Sequence, residues 1–454
     1  MLEGLSGPEA RRKAVHVAVG GFAFLLRGLS WWQAALVAVA GFVFNWLIFP
    51  RIGGKGLWRK HEHEAGYARG VLVYPIAVLV LILIFRGEPW MAAVVWGVLA
   101  FGDGMAALIG MAVGGARLPW NAQKSWAGSA AFLLFGGVGA SVLMAWTLHL
   151  PIASWTSPRI LAVTVPLVLA CALVESIPTT LDDNITVPLA GALLVPLLGA
   201  ADPASLLEHD VLRLAAIGLA LNAALAAAAF AARSIDLAGA LSAMVIGTVI
   251  TIGLGPGALA VMVAFFVLGS AATRVGYRIK AARGIAQERG GARGWRNAWA
   301  NGGVPALLAL LGGMSPAERG LYALAYAASV ATAAADTCSS EIGKAFGRRT
   351  YLVTTLRPVP AGTEGAVSLE GTTGGLLAAV LVGSAGAVVG LYPWASAAVV
   401  AAAALLGSLG ESVMGTVAER RGWMSNDLLN AFNTALGAAL AFAAVRLAPS
   451  LGAP

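Results

Sequence analysis

The sequence predicts an all-α fold, a polytopic transmembrane helical bundle of about 15 spans, built as two parallel pseudo-repeats of seven joined by a linker helix. Three observations carry that prediction. The chain is 59% hydrophobic, with 57 glycines, 11% charged residues and a mean hydropathy of +0.80, well outside soluble globular domains. Long runs such as Trp31–Phe49, Val71–Phe85, Phe132–Trp146 and Trp394–Leu409 are nearly free of charge. No run alternates as a barrel strand would, so helices are the remaining way to satisfy the backbone in lipid.

A bilayer core about 30 Å thick needs roughly 20 apolar residues per helix, fewer where the helix is short. By that rule the first half contributes 13–29, 31–49, 70–86, 90–112, 126–147, 159–177 and 187–200. A single span at 212–232 follows. The second half contributes 236–252, 257–275, 300–313, 319–342, 366–390, 393–410 and 426–447. The expected divisions are therefore 1–200, a linker at 201–232, and 233–454. Arg11-Arg12-Lys13 ahead of an apolar run resembles a signal peptide, but no small-residue cleavage site precedes Trp31, so this run reads as the first helix.

Placing the N-terminus in the cytoplasm puts all of the 30 Lys and Arg residues on that side except Arg27, Arg86, Arg159, Arg213, Arg319 and Arg446. That asymmetry sets the orientation. It also accounts for the net charge of +8 without a nucleic-acid partner. The expected location is a bacterial inner membrane, with the functional sites facing the cytoplasm. Seven spans per half would invert a direct fusion, and the linker span restores the orientation, so the halves read as parallel rather than as an inverted-repeat transporter. Cys171 and Cys338 lie in apolar segments and imply no disulfide.

One order of chemistry-bearing residues occurs twice. The first copy reads Gly102-Asp103 with Gly110, then Lys124-Ser125-x-x-Gly128-Ser129, Glu175, and Asp182-Asp183-Asn184. The second reads Asp336 with Ser339-Ser340-Glu341 and Gly343, then Ser368-x-x-Gly371-Thr372, Glu411, and Asn426-Asp427. On a helix, Asp103, Ala106, Ala107 and Gly110 share a face, as do Asp336, Ser339, Ser340 and Gly343. Tight helix packing explains the small residues. It does not explain an acid on the same stripe, which is costly in a membrane and marks function.

The Ser–Gly–Ser/Thr elements begin where a loop enters a span. N-capping is one use of such a serine. Hydroxyls, backbone N–H groups and Lys124 together also suit phosphate. Acids beside phosphate-binding loops suggest Mg²⁺ held by a few carboxylates and nucleotide phosphates, with Asp103, Asp183, Asp336 and Glu341 as expected ligands. Glu175, Asp182, Glu411 and Asp427 are further ligands or general bases. Phosphoryl transfer needs mainly positioning and charge neutralisation, which these residues supply. Neither Lys55 nor Lys344 lies in a Walker A sequence, so a soluble-type P-loop kinase is excluded. His61-Glu62-His63-Glu64 reads as a solvated loop, since no second ligand pair accompanies it. The basic run from Arg274 to Arg296 reads as an anchor on anionic lipid. Its last member, Arg296, with Asn297 and Asn301-Gly302-Gly303, could also contact a nucleotide or the substrate phosphate.

The first half resembles the dolichol kinase and phytol kinase family of membrane enzymes. The matching pieces are Arg11-Arg12-Lys13-x-x-His16, Gly102-Asp103-x-x-Ala106-x-x-x-Gly110, Lys124-Ser125-x-x-Gly128-Ser129 and Asp182-Asp183-Asn184-x-x-x-Pro188. The family's Glu before the Gly of the third piece is Ala127 here, which weakens any role for an acid there or hands it to Glu175. The second half resembles the phytyl-phosphate kinase family through Asn301-Gly302, the Asp336–Gly343 segment and Gly362-Thr363-x-Gly365-x-Val367-Ser368-x-x-Gly371-Thr372. Its D-S-x-x-G element appears as Glu411-Ser412-x-x-Gly415. The resemblance implies a bifunctional membrane kinase using Mg²⁺ and CTP, ATP or another nucleoside triphosphate. An isoprenoid alcohol (phytol, geranylgeraniol, farnesol or a polyprenol) would become its monophosphate in the first half. That isoprenyl monophosphate would become the diphosphate in the second. It also implies nucleotide or phosphate contacts at Arg12, Lys13, His16, Asn184, Gly365 and Asn426. A CTP-dependent lipid cytidylyltransferase is the alternative, followed by a transporter.

Overall fold

The structure is a computed structural model that describes residues 7–58, 60–179, 181–208, 210–287, 291–419 and 425–448. It divides into two units, Met1–Ala200 and Ala201–Pro454. Both are helical, and the described strands form only two short hairpins.

In the first unit, α1 (Pro8–Val19) runs into a 3-10 segment, Gly20–Arg27, before α2 (Trp31–Val43), α3 (Lys60–Ala65) and α4 (Arg69–Ile84). Ser30 and Gln33 form a capping box at the start of α2. Next come α5 (Pro89–Gly97) and α6 (Gly104–Val113), one helical run interrupted by a π-helical turn at Val98–Asp103. Strands β1 (Arg117–Leu118) and β2 (Asn121–Ser125) pair antiparallel and lead into α7 (Trp126–Thr147). Helices α8 (Pro158–Ser176) and α9 (Asp183–Ala200) complete the unit. Phe132, Leu99, Leu143, Ile160 and Leu167 form its most deeply buried centre.

The second unit begins with α10 (Ala204–Glu208) and α11 (Val211–Ala231), then α12 (Leu237–Leu254), α13 (Pro256–Arg274) and α14 (Tyr277–Ala282). The helix expected as a linker, α11, packs on α12: a side chain at Gly247 would collide with Asn222. After α15 (Trp295–Met314) comes α16 (Arg319–Phe346), the axis of the unit, touched by α13, α15, α17 (Leu369–Val388), α18 (Trp394–Met414) and α19 (Asn426–Leu447). Hairpin β3 (Thr350–Leu352) and β4 (Ala366–Ser368) joins α16 to α17. Small residues permit this crowding, as where Gly407 and Gly437 both face Thr332.

Each of the fifteen predicted spans is helical over most of its length. Eleven described helices are long and apolar enough to cross a membrane. The other four depart for visible reasons: α1 passes into the 3-10 segment, α4 is short, α15 opens on Trp295-Arg296-Asn297, and α16 carries Thr, Ser and Asp among its alanines.

The two units repeat one local construction, helix–hairpin–helix, with the same close approach. A Cβ on Gly110 would lie 3.3 Å from Ser125 Oγ and 3.7 Å from Gly128 Cα, and one on Gly343 would lie 3.3 Å from Ser368 Oγ and 3.7 Å from Gly371 Cα. Ser125 and Ser368 are the N-caps, accepting from the N–H groups of Gly128 at 3.2 Å and Gly371 at 3.1 Å. An added Cβ at Gly371 would meet Ser339 O at 2.6 Å, whereas one at Gly137 meets nothing within 4 Å. Gly371→Ala is therefore expected to cost about 1–3 kcal/mol through forced backbone movement. Gly137→Ala should fall within about 1 kcal/mol of the parent, on the stabilising side. Thermal unfolding of the two variants in detergent checks the contrast.

Candidate functional site

In the first unit the π turn ends on Asp103, which is 2% exposed. Insertion of a π turn re-aims the residues that follow it. The glycines flanking Asp103 let neighbours close in. A Cβ on Gly102 would meet the Phe132 ring at 3.2 Å, and one on Gly104 would strike Val17 at 2.4 Å. Helix α1 thereby presents Lys13, whose Nζ donates to Asp103 Oδ2 at 2.6 Å. His16 Nε2 lies 3.6 Å from the same oxygen and 3.1 Å from the Leu99 carbonyl.

The β1–β2 hairpin brings a second lysine to this place. Asn121 Nδ2 donates to Ser176 O at 3.0 Å, and Trp120 Nε1 to Ser176 Oγ at 3.2 Å, pinning the hairpin to the end of α8. Lys124 Nζ then bonds Glu175 at 2.5 Å and Asp183 at 3.0 Å. Burial opposes the charge on Lys124, but Asp183 and Glu175 outweigh it and hold the ammonium pKa above the ordinary lysine value. Asp103, Glu175 and Asp183 each offer an oxygen, all within 4.8 Å of one another, close enough to converge on a divalent cation if Lys13 and Lys124 give way.

Asp182 plays a local part, its Oδ1 accepting from the Asn184 N–H at 2.9 Å. Asn184 Nδ2 reaches Gly70 O at 3.5 Å, and Arg12 and Asp182 converge on the same glycine. Two buried polar atoms here, Ser129 Oγ and Asn184 Oδ1, have no hydrogen-bond partner among the described residues. Such orphans mark places that a ligand or water completes. The acidic–histidine run 61–64 is not wholly solvated: it lies on α3, where Glu62 is 2% exposed and 3.8 Å from Arg12.

An apolar cleft of about 500 Å³ runs up to this cluster. Its polar end is Arg12, Lys13, His16 and Asn184; its walls include Phe22, Leu26, Val37, Phe44, Val78 and Ile82.

Described residues of the second unit line a polar and an apolar cleft. The polar one, of about 170 Å³, is lined by Asp336, Ser339, Ser340, Glu341, Gly343, Gly365, Ser368, Gly371, Thr372, Glu411 and Asn426, all expected from the sequence. Gly365 adopts φ 72° ahead of β4, and its position leaves no room for a side chain beside Thr416. Asp336 and Glu411 share a hydrogen bond. Two carboxyl groups that close need a proton or a cation between them. Glu341 is 1% exposed and ion-paired with Lys280, which also donates to the carbonyls of Ala272 and Thr273.

An apolar cleft of about 460 Å³ lies alongside, walled by Leu225, Ile246, Met262, Phe265 and Phe266 among others. Arg293, Asn297 and Asn301 line both clefts. Two expected residues lie elsewhere. Arg296 is exposed against the Trp295 ring at 5.5 Å, and Asp427 sits in the first turn of α19 outside the cleft lining, where Asn430 takes its place. Sequence reasoning passed over Arg293, Lys344, Glu364 and Asn430. Lys344, on the same helix as Asp336, and Asn430, one turn after Asn426, carry a helical-spacing signal; Arg293 carries none.

Residues 220–438 match the family described as Integral membrane protein DUF92. The membrane protein sll0875 of Synechocystis is 43% identical over 201 residues, 44% of this chain and 78% of that protein. Protein VTE6, chloroplastic, of Arabidopsis thaliana is 39% identical over 213 residues, 46% of this chain and 64% of that protein. "Probable phytol kinase 2, chloroplastic" of Glycine max is 35% identical over 133 residues, 29% of this chain and 45% of that protein. No solved structure matches the chain.

Removing Lys124 leaves Glu175 and Asp183 without their shared cation. Lys124→Met is expected to lose about 1–3 kcal/mol of stability. Millimolar Mg²⁺ should raise its unfolding temperature more than it raises the parent's. Equal responses in a thermal-shift titration would mean that these carboxylates hold no divalent cation.

Proposed function

From the premise that the chain belongs to the DUF92 family of integral membrane proteins, we propose that it is a phosphotransferase acting on isoprenoid lipids, with two sites facing the cytoplasm. The first unit phosphorylates an isoprenoid alcohol to its monophosphate, and the second converts an isoprenyl monophosphate to the diphosphate. CTP or another nucleoside triphosphate is the donor. The observation that carries this reading is the same in both units: an apolar cleft, able to take a hydrocarbon chain, has cationic and amide side chains in its lining (Arg12, Lys13 and Asn184; Arg293, Asn297 and Asn301) that adjoin a group of acids. The phytol kinase name borne by a relative and the motif resemblances support it.

Asp103, Glu175 and Asp183 in the first unit fit Mg²⁺, as does the Asp336–Glu411 pair in the second. The ion would supply charge neutralisation on the nucleotide's phosphates. Lys124, with Ser129 Oγ and the first turn of α7, faces the same anionic donor. In the first unit the acceptor hydroxyl lies at the Lys13–His16 end of the cleft. Its oxygen attacks the terminal phosphorus, the bond to the leaving nucleoside diphosphate breaks, and the hydroxyl proton passes to the Asp103 carboxylate. A monophosphate acceptor in the second unit is already anionic and needs no base. There the task is to bring two anions together, which Lys344 and Arg293 serve.

Purified protein supplied with labelled nucleotide and either prenyl alcohols or prenyl monophosphates tests the scheme. Asp103→Asn should lower alcohol phosphorylation at least about 100-fold while sparing use of the monophosphate. Asp336→Asn should let monophosphate accumulate. Identical behaviour of both variants on both substrates would sink the division of labour. CDP-lipid with pyrophosphate as products would identify a cytidylyltransferase instead.

A further inference from the structure

The polar ends of the two apolar clefts differ in charge. In the first unit both cations at the cleft end are taken. Lys13 bonds Asp103 at 2.6 Å, and Arg12 bonds Glu9 at 2.9 Å with Glu62 at 3.8 Å. A neutral hydroxyl suits that end. In the second unit Arg293 stands where the polar and apolar clefts meet, and no described carboxylate pairs with it. Glu341 acts on it from a distance, but is itself bonded to Lys280.

Arg293 is also held in place. Its N–H donates to Ser234 O at 2.9 Å, and its carbonyl accepts from the Asp236 N–H at 3.2 Å. Its guanidinium lies 5.3 Å from the centre of the Phe265 ring. It abuts Gly269 so closely that a Cβ there would sit 2.4 Å from Nη2. Asp236 is engaged at the start of α12, accepting from Gly239 N at 2.7 Å. Burial pulls the guanidinium pKa down, with Cys338 and Glu341 opposing. A half-buried cation held this firmly, with no carboxylate of its own among the described residues, suits an anion. Asn297 and Asn301, one turn apart on α15, line both clefts beside it and supply amide groups.

We propose that Arg293, Asn297 and Asn301 form a phosphate-monoester subsite at the junction of the two clefts, and that this subsite selects a phosphorylated isoprenoid over its alcohol. The hydrocarbon chain occupies the apolar cleft, and the monoester oxygens face the polar cleft where Asp336, Lys344 and the donor meet. The identity of the substrate rests on the proposed kinase function; the anion site itself does not.

The test uses the full-length protein in nanodiscs of neutral lipid. Saturation binding of labelled geranylgeranyl monophosphate is measured without nucleotide, with geranylgeraniol, inorganic phosphate and phosphatidic acid as competitors. Steady-state kinetics are run on both acceptors. Arg293→Gln is expected to weaken monophosphate binding and raise its KM by about ten- to hundredfold, the size of a lost charge-assisted hydrogen-bonded contact. Arg293→Lys should recover part of that loss, and Asn297→Ala should fall between. Turnover of the alcohol by the first unit is a control for the preparation, and thermal unfolding of each variant in the nanodisc reports on folding of the second unit. If Arg293→Gln does not fold, Arg293→Lys and Asn297→Ala decide. Parental binding in the variants that fold would overturn the subsite. Equal displacement by phosphatidic acid would make it a general lipid-phosphate site and overturn the selectivity. Arg293-dependent binding with no phosphoryl transfer by the parent protein would support the subsite while sinking the kinase function.

Discussion

The pairing of Lys13 with Asp103 is the constraint around which the first unit is arranged. A carboxylate buried in a helical membrane bundle is costly unless it is neutralised and hydrogen-bonded. Helix α1 must therefore lie against the π turn, close enough for a 2.6 Å contact. Gly104 is what permits that approach, since any side chain there would strike Val17. The same demand recurs at Lys124, which a pinned hairpin delivers to Glu175 and Asp183. The second unit meets it differently, with Lys280 committed to Glu341 and Asp336 set against Glu411. In both units the buried carboxylates of the clusters are partnered, because an isolated charge is costly in a membrane interior.

Much of this was legible in the chain. Apolar runs located the helices, because run length and bilayer thickness are tied by the helical rise. The doubled motif pointed to Asp103, Glu175 and Asp183, which do converge, and to Asp336, Ser340 and Glu411, which do line one cleft. Helix crowding was harder to foresee. Ser125, Ser368 and their paired glycines serve capping and close approach, and they occur at the same spacing as a phosphate loop would. Arg293 was invisible for another reason. It sits in a run of basic residues that reads as a lipid anchor, and only its backbone pairing beside Ile235 turns it inward. Arg296, three residues on, follows the anchor pattern and stays outside.

The apolar clefts are close in size, about 500 and 460 Å³, yet are walled by unrelated residues. The likeness of the two units therefore lies in the glycine-mediated joint between hairpin and helices, where the Gly110 and Gly343 approaches share the same 3.3 and 3.7 Å distances. Side chains that meet hydrocarbon need only be apolar and of fitting bulk, so they are free to differ. Those that set the joint are not.

The π turn at Val98–Asp103 has a consequence for how this chain can change. A helix that holds an extra residue in one turn has slack of one residue stored there. Deleting a single residue within it would let the turn close to ordinary α winding over nearly the same arc, so that α6 keeps its phase. The same deletion one turn earlier, in the α-helical part of α5, would rotate everything beyond it by about 100° unless the slack absorbed it, swinging Asp103 away from Lys13 and Gly110 off Ser125 and Gly128. The turn is therefore where this chain tolerates a change of length by one codon.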